Sequence, residues 1–214
     1  MKRMALYAVA FLLGIGSIIT WRILTVKKIE KAQIMKTPLL TKQAAFTYPL
    51  PSEAISGIIT SLSGTVIKHP RADENAELPL TKDDVLVQKD TIVTKEDGAI
   101  SCTIPSVATI SMKNNAELAI VNLVVPNISF IQIAGSTTYE TTHTTNVKTI
   151  HALTEIASES AGMITVDAPI VKYIVTKGSM KIGFNDINNN TVVKTISANE
   201  SLTFNDDTRK ISIK

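Results

Sequence analysis

The chain has 214 residues, 44% hydrophobic and only 5% aromatic, with 22 Lys and Arg against 19 Asp and Glu. The net charge of +3 and a pI near 8.9 invite a nucleic-acid reading, but the distribution excludes it. Residues 1–46 hold eight basic residues and one acidic, which leaves 14 basic and 18 acidic in the remainder, a mildly acidic stretch unsuited to a polyphosphate. The lone Cys102 excludes an internal disulfide, so whatever folds here stands on its core.

The first element is an 18-residue uncharged run, Met4 to Trp21, fenced by Lys2 and Arg3 before it and Arg22, Lys27 and Lys28 after it. As a helix rising about 1.5 Å per residue, it approaches the roughly 30 Å of a bilayer's hydrocarbon core. Leu12, Leu13 and Ile18 form its apolar body. Trp21 suits the membrane interface, and Arg22 can snorkel its guanidinium to the headgroups. A cleaved signal peptide needs small residues after the apolar run, and Ile18, Ile19, Trp21 and Ile23 stand there instead. The expectation is an uncleaved single-pass anchor over residues 1–26, with the lipid bilayer as its partner.

Orientation is set by competing signals. Two basic residues precede the run and four follow it (Arg22, Lys27, Lys28, Lys31), which nominally turns the C-terminal side to the cytoplasm. The short tail before the run and the Thr, Ser and Asn content beyond it point the other way. The expected location of the remainder is extracytoplasmic, in the periplasm or at the cell surface. Residues 27–52 read as a linker, where Pro38, Pro49 and Pro51 deny a continuous helix.

From 53 to 214 the pattern is all-β and predicts a compact β-sandwich or β-roll. Ile100, Cys102 and Ile104 alternate with polar residues, as do Ala108, Ile110 and Met112. The same holds for Leu118 with Ile120, Ile128 with Phe130, Met180 with Ile182 and Phe184, Leu202 with Phe204, and Ile211 with Ile213. A period of two means half-buried strands. Turns are expected at Glu96-Asp97-Gly98, Lys113-Asn114-Asn115, Asn185 to Asn190 and Asn205-Asp206-Asp207. Gly64, Gly135 and Gly178 each stand between an apolar run and a further short strand, where glycine permits a tight bend or bulge. The Thr-rich tract from Thr137 to Thr149 suits an exposed edge strand or a mobile loop, and threonine's preference for strands favours the edge strand.

Candidate chemistry is sparse. The chain order His69, Cys102, Arg209 is also that of sortases, but Cys102 alternates with Ile100 and Ile104 on an inward face, which predicts a buried thiol. His143 and His151 lack the convergent partners of a zinc site. Asp73-Glu74, Asp83-Asp84 and Asp206-Asp207 lack calcium-loop spacing. The sequons at Asn127, Asn189 and Asn199 matter only where a secretory pathway glycosylates them. No enzyme, cofactor or metal is expected.

The spacing from Ser63 onward resembles a FecR-type domain, the family named for the membrane regulator of ferric citrate uptake. The resemblance rests on Gly64-Thr65-Val66, on Asp90-Thr91-Ile92-Val93-Thr94, on the alternation from Ala99 to Met112, and on Asn114 to Leu118. Phe130 to Gly135, Gly178, and Ser197-Ala198-Asn199-Glu200-Ser201 extend it over most of residues 55–205. The motif positions are thus Gly64, Val66, Asp90, Ile92, Thr94, Gly135, Gly178 and Glu200. Lys89 and Asn199 replace glycines of the pattern, and Pro105-Ser106 replaces an Asp-Gly turn. In the family's regulatory members an N-terminal cytoplasmic region contacts a sigma factor. Only Met1, Lys2 and Arg3 precede the run here, so no such region is expected. The resemblance implies a non-catalytic binding or sensing module with a protein or glycan partner. A structural envelope protein is the alternative, and a sortase-like thiol enzyme the third reading.

Overall fold

In the computed structural model, residues 54–73 and 75–214 are described, all within the unit Pro49–Lys214. The expected anchor and most of the linker lie outside these residues. The described residues are all-β and contain no helix long and apolar enough to cross a membrane.

Among the described residues seventeen strands follow one another. In the first part they are β1 (Gly57–Ser63), β2 (Val66–His69), β3 (Leu78–Pro79), β4 (Val85–Leu86), β5 (Thr91–Thr94), β6 (Ala99–Ile104), β7 (Ala108–Met112) and β8 (Glu117–Asn122). The 13-residue β9 (Ser129–Thr141) comes next. After it run β10 (Thr145–Lys148), β11 (Ala152–Ile156), β12 (Ser160–Asp167), β13 (Ile170–Lys177), β14 (Ser179–Asn185), β15 (Thr191–Ser197), β16 (Ser201–Asn205) and β17 (Lys210–Ile213).

The pairings resolve into two sheets. Sheet A runs β4-β1-β6-β7-β9-β12-β13-β16-β17, antiparallel throughout. Sheet B runs β3-β2-β5-β8-β9-β10-β11-β14-β15, with one parallel pairing, β9 with β10. Strand β9 belongs to both. Its first half pairs with β8 and β10, and from Gly135 onward it pairs with β7 and β12. It is the middle member of each sheet, with earlier strands on one side and later ones on the other.

The alternation places the core as the sequence predicts. Ile100, Cys102, Ile104, Ile110, Leu118, Ile128, Phe130, Met180, Ile182, Leu202 and Phe204 are buried in one continuous cluster drawn from both sheets. Ile211 and Ile213 are the exception. They lie on the edge strand β17, where Ile211 only packs against the core margin and Ile213 is exposed. The expected turns at Glu96–Gly98 and Lys113–Asn115 fall between strands, and those at Asn185–Asn190 and Asn205–Asp207 do so except for their first residues, which end β14 and β16.

Each of the three glycine corners is one of the places where the chain changes sheet. It passes from A to B between β1 and β2 at Gly64, from B to A within β9 at Gly135, and from A to B between β13 and β14 at Gly178. All three take positive φ, +60°, +76° and +71°.

The Thr-rich tract is a correction. It was expected as an exposed edge, yet Thr137 to Thr141 lie in β9 at the centre of sheet A, hydrogen-bonded to strands on both sides. Thr137, Thr141, Thr145 and Thr149 are buried. Three of the four hydroxyls find partners: Thr141 donates to the carbonyls of Ala157 (2.8 Å) and Ser160 (3.2 Å), Thr145 to the His143 carbonyl (3.1 Å), and Thr149 pairs with the Tyr173 hydroxyl (3.1 Å). A hydroxyl that can be satisfied locally makes Thr a tolerable core residue, so its polarity does not report exposure.

Candidate functional site

The FecR-like positions are distributed over the fold and perform local structural work. Val66 and Ile92 are core residues. Asp90 is buried beneath the turn before β5, and its carboxylate accepts the backbone N–H groups of Val87 (3.0 Å) and Arg71 (3.2 Å). Buried Thr94 donates to the Lys113 carbonyl (2.5 Å) and accepts from the Ala116 N–H (2.8 Å), which pins the turn between β7 and β8. Glu200 accepts the Ser197 N–H at 2.6 Å and closes the turn between β15 and β16. Gly64, Gly135 and Gly178 make the sheet changes. The structure therefore does not gather these residues into one site.

The departures from the family pattern share one property. Lys89, Asn199 and Ser106 have φ of 75°, 71° and 60°, in the left-handed region. The backbone keeps the geometry for which the pattern uses glycine, and the replaced side chains bear the steric cost. Lys89→Gly is therefore expected to stabilise the module by about 1 kcal/mol, read as a higher denaturant midpoint at unchanged m-value.

Cys102 faces inward between Ile59 of β1 and Ile110 of β7 and is 3% exposed. Burial pushes its thiol up to about 12, away from the thiolate. His69 and Arg209 lie on opposite sides of β9, on β2 and in the turn before β17. Cys102→Ser should cost about 1–3 kcal/mol, because it puts a hydroxyl on an apolar face, and Cys102→Ala should cost less. On the folded protein a polar thiol reagent should label Cys102 only after denaturant is added.

His143 is exposed in the turn after β9. His151, also exposed, places Nδ1 2.8 Å from both carboxylate oxygens of Asp206, and Arg209 approaches the same carboxylate at 3.4 Å. Among the described residues no group of His, Cys, Asp and Glu is arranged to hold a metal ion.

A groove of about 1010 Å³ lies on the outer face of sheet B, over β10, β11, β14 and β15. Gly183 forms its floor. A Cβ added there would find its nearest neighbour at 3.8 Å, so the groove is the space a side chain would occupy. Cross-strand register sets Leu153 and Val193 on either side of Gly183, 56% and 50% exposed, with Lys148 beyond Leu153. The next row is polar, with Glu155 opposite Lys181.

The β14–β15 loop overhangs one end and carries Ile187 at its tip, 77% exposed. Asp186 ties this loop by accepting the N–H groups of Asn190 (2.9 Å) and Asn188 (2.8 Å). The Asn190 bond, followed by the others, holds its carboxyl below the usual range. An apolar trough with charges along one side can take an amphipathic ligand. Nothing in the sequence marks it, because it is made by one missing side chain in an otherwise ordinary strand. A second concavity of about 470 Å³ lies over β6, β7, β9 and β12 and has the exposed Lys177–Glu159 pair (3.6 Å) at its rim.

No family model matches the chain, and no curated protein matches it. Among solved structures, two crystal structures of a putative anti-sigma factor from Parabacteroides distasonis ATCC 8503, at 2.50 and 1.65 Å resolution, superpose with a TM-score of 0.51 at 11% identity. Each match covers 58% of this chain and 58% of that one, so the chain spans less than two-thirds of its neighbours' length. At such identity the likeness is one of fold: over the matched 58% of the chain, the architecture is similar to that of a putative anti-sigma factor.

Proposed function

We propose that the chain is a FecR-like regulatory module, non-catalytic, tethered to the membrane by Met4–Trp21 with its β-domain outside the cytoplasm, where it binds a protein or glycan. The observation that carries this reading is the fold likeness to the putative anti-sigma factor structures. The left-handed geometry kept at Lys89, Ser106 and Asn199 supports the FecR-type resemblance. The uncharged run and its basic flanks support the tether.

Protease added to intact right-side-out cells tests the topology. The β-domain should be shaved while an N-terminal fragment stays with the membrane, and full protection would overturn the extracytoplasmic assignment. Affinity purification from solubilised envelopes, with glycan arrays in parallel, tests the binding role. Recovery of no specific partner by either route counts against it. A deletion strain should change transcription. Altered envelope architecture with normal transcription would instead make the protein a structural component.

A further inference from the structure

The two sheets end on four edges, and three are short: β3 and β4 have two residues each and β17 four. The fourth, β15, has seven and, among the described residues, pairs only with β14. Ser197 is turned into the bend with Glu200, which leaves Thr191–Ile196 as an open row of backbone donors and acceptors. Five of those six residues are β-branched, the composition that best sustains a strand.

The two faces of this edge differ. Thr191, Val193 and Thr195 face outward, and Val193 forms a wall of the groove above Gly183, near Ile187. Val192, Lys194 and Ile196 face inward. Ile196 is fully buried, whereas Lys194, in register with buried Ile182, is exposed because no strand lies beyond it. A lysine pointing inward on an open edge repels an apolar strand that would cover it. A second copy of this chain, pairing the same edge in register at Lys194, sets another Lys194 against it. A strand with a carboxylate at the facing position neutralises it instead.

We propose that β15 is a strand-addition site for an extended segment of a partner protein, one that sets an acidic side chain against Lys194 and apolar side chains beside Val193. The main chain supplies affinity, and the charge and the apolar positions set register and selectivity. The proposal deepens the binding reading above and rests on it.

The test uses the full-length chain in detergent micelles and two capped peptides, Thr-Ile-Glu-Ile-Thr and its Thr-Ile-Lys-Ile-Thr counterpart. The glutamate peptide should slow amide hydrogen exchange within Thr191–Ile196 and bind about fivefold more tightly than the lysine peptide, the equivalent of one partly exposed ion pair. Lys194→Glu, folded by circular dichroism, should reverse the preference. N-methylation along the glutamate peptide should abolish binding. Equal affinity for both peptides, protection elsewhere, or no binding overturns the proposal. So does concentration-dependent dimerisation that protects β15 without peptide. If the envelope partner is retained equally by the Lys194→Glu protein, the edge assignment fails while the binding reading stands.

Discussion

Gly135→Ala should destabilise the module by about 2–5 kcal/mol, enough to leave a domain of ordinary stability partly unfolded. Two costs add. The residue holds φ of +76°, where a side chain is disfavoured by about 1–2 kcal/mol. A Cβ there would also be driven against the Ala116 Cα and the Asn115 carbonyl, backbone atoms that cannot swing aside. Overpacking of this kind typically adds about 1–3 kcal/mol. Equilibrium denaturation by urea measures the sum. Gly183→Ala is the control: its Cβ enters open space in the groove, so its stability should stay within about 0.5 kcal/mol of the parent. Equal losses from both substitutions would show that a generic glycine effect, not the Gly135 corner, was being measured.

Gln132→Leu should cost about 3–5 kcal/mol despite conserving side-chain volume. Gln132 is fully buried in β9, three residues before the corner. Its amide donates to the Gly135 carbonyl (2.8 Å) and, across to β12, the Ile164 carbonyl (2.9 Å), and its Oε1 accepts from the buried Tyr139 hydroxyl (3.0 Å). Leucine leaves the buried Ile164 carbonyl and Tyr139 hydroxyl and the part-buried Gly135 carbonyl without that partner, at about 1–3 kcal/mol each before relaxation. Adding Tyr139→Phe removes one of the orphaned groups. The double variant should therefore be less destabilised than the two single losses predict, and simple additivity would show that the network is not coupled.

Strand identity and facing were legible in the sequence because a half-buried strand must alternate, and Cys102, Phe130 and Phe204 sit as that period dictates. The corners at Gly64, Gly135 and Gly178 were legible as bends, since glycine between apolar runs signals unusual backbone. Their meaning as changes of sheet was not, because a bend within a sheet and a passage between sheets require the same residue. The Thr137–Thr149 tract misled for a related reason: alternation reports which face is wet, not whether a strand is central or marginal. What separates the two is pairing with residues far away in the chain, as in Thr138 with Met163 and Ser111.

The motif residues could be found from spacing, but their work could not. Asp90 and Thr94 look like polar groups available to a ligand until their partners, the turns at 87–90 and 113–116, are seen beside them. The groove over Gly183 and the open edge at β15 were illegible altogether, for both are made by what is missing beside a strand.

The position of β9 in the middle of both sheets has a mechanical consequence. The earlier and later strands are not two bodies joined by a pliable connection; one continuous extended segment is hydrogen-bonded into each, and it changes layer at a corner gripped by Gln132. Force passed through the sheets between the earlier and the later strands therefore crosses the hydrogen bonds that β9 makes on both its sides.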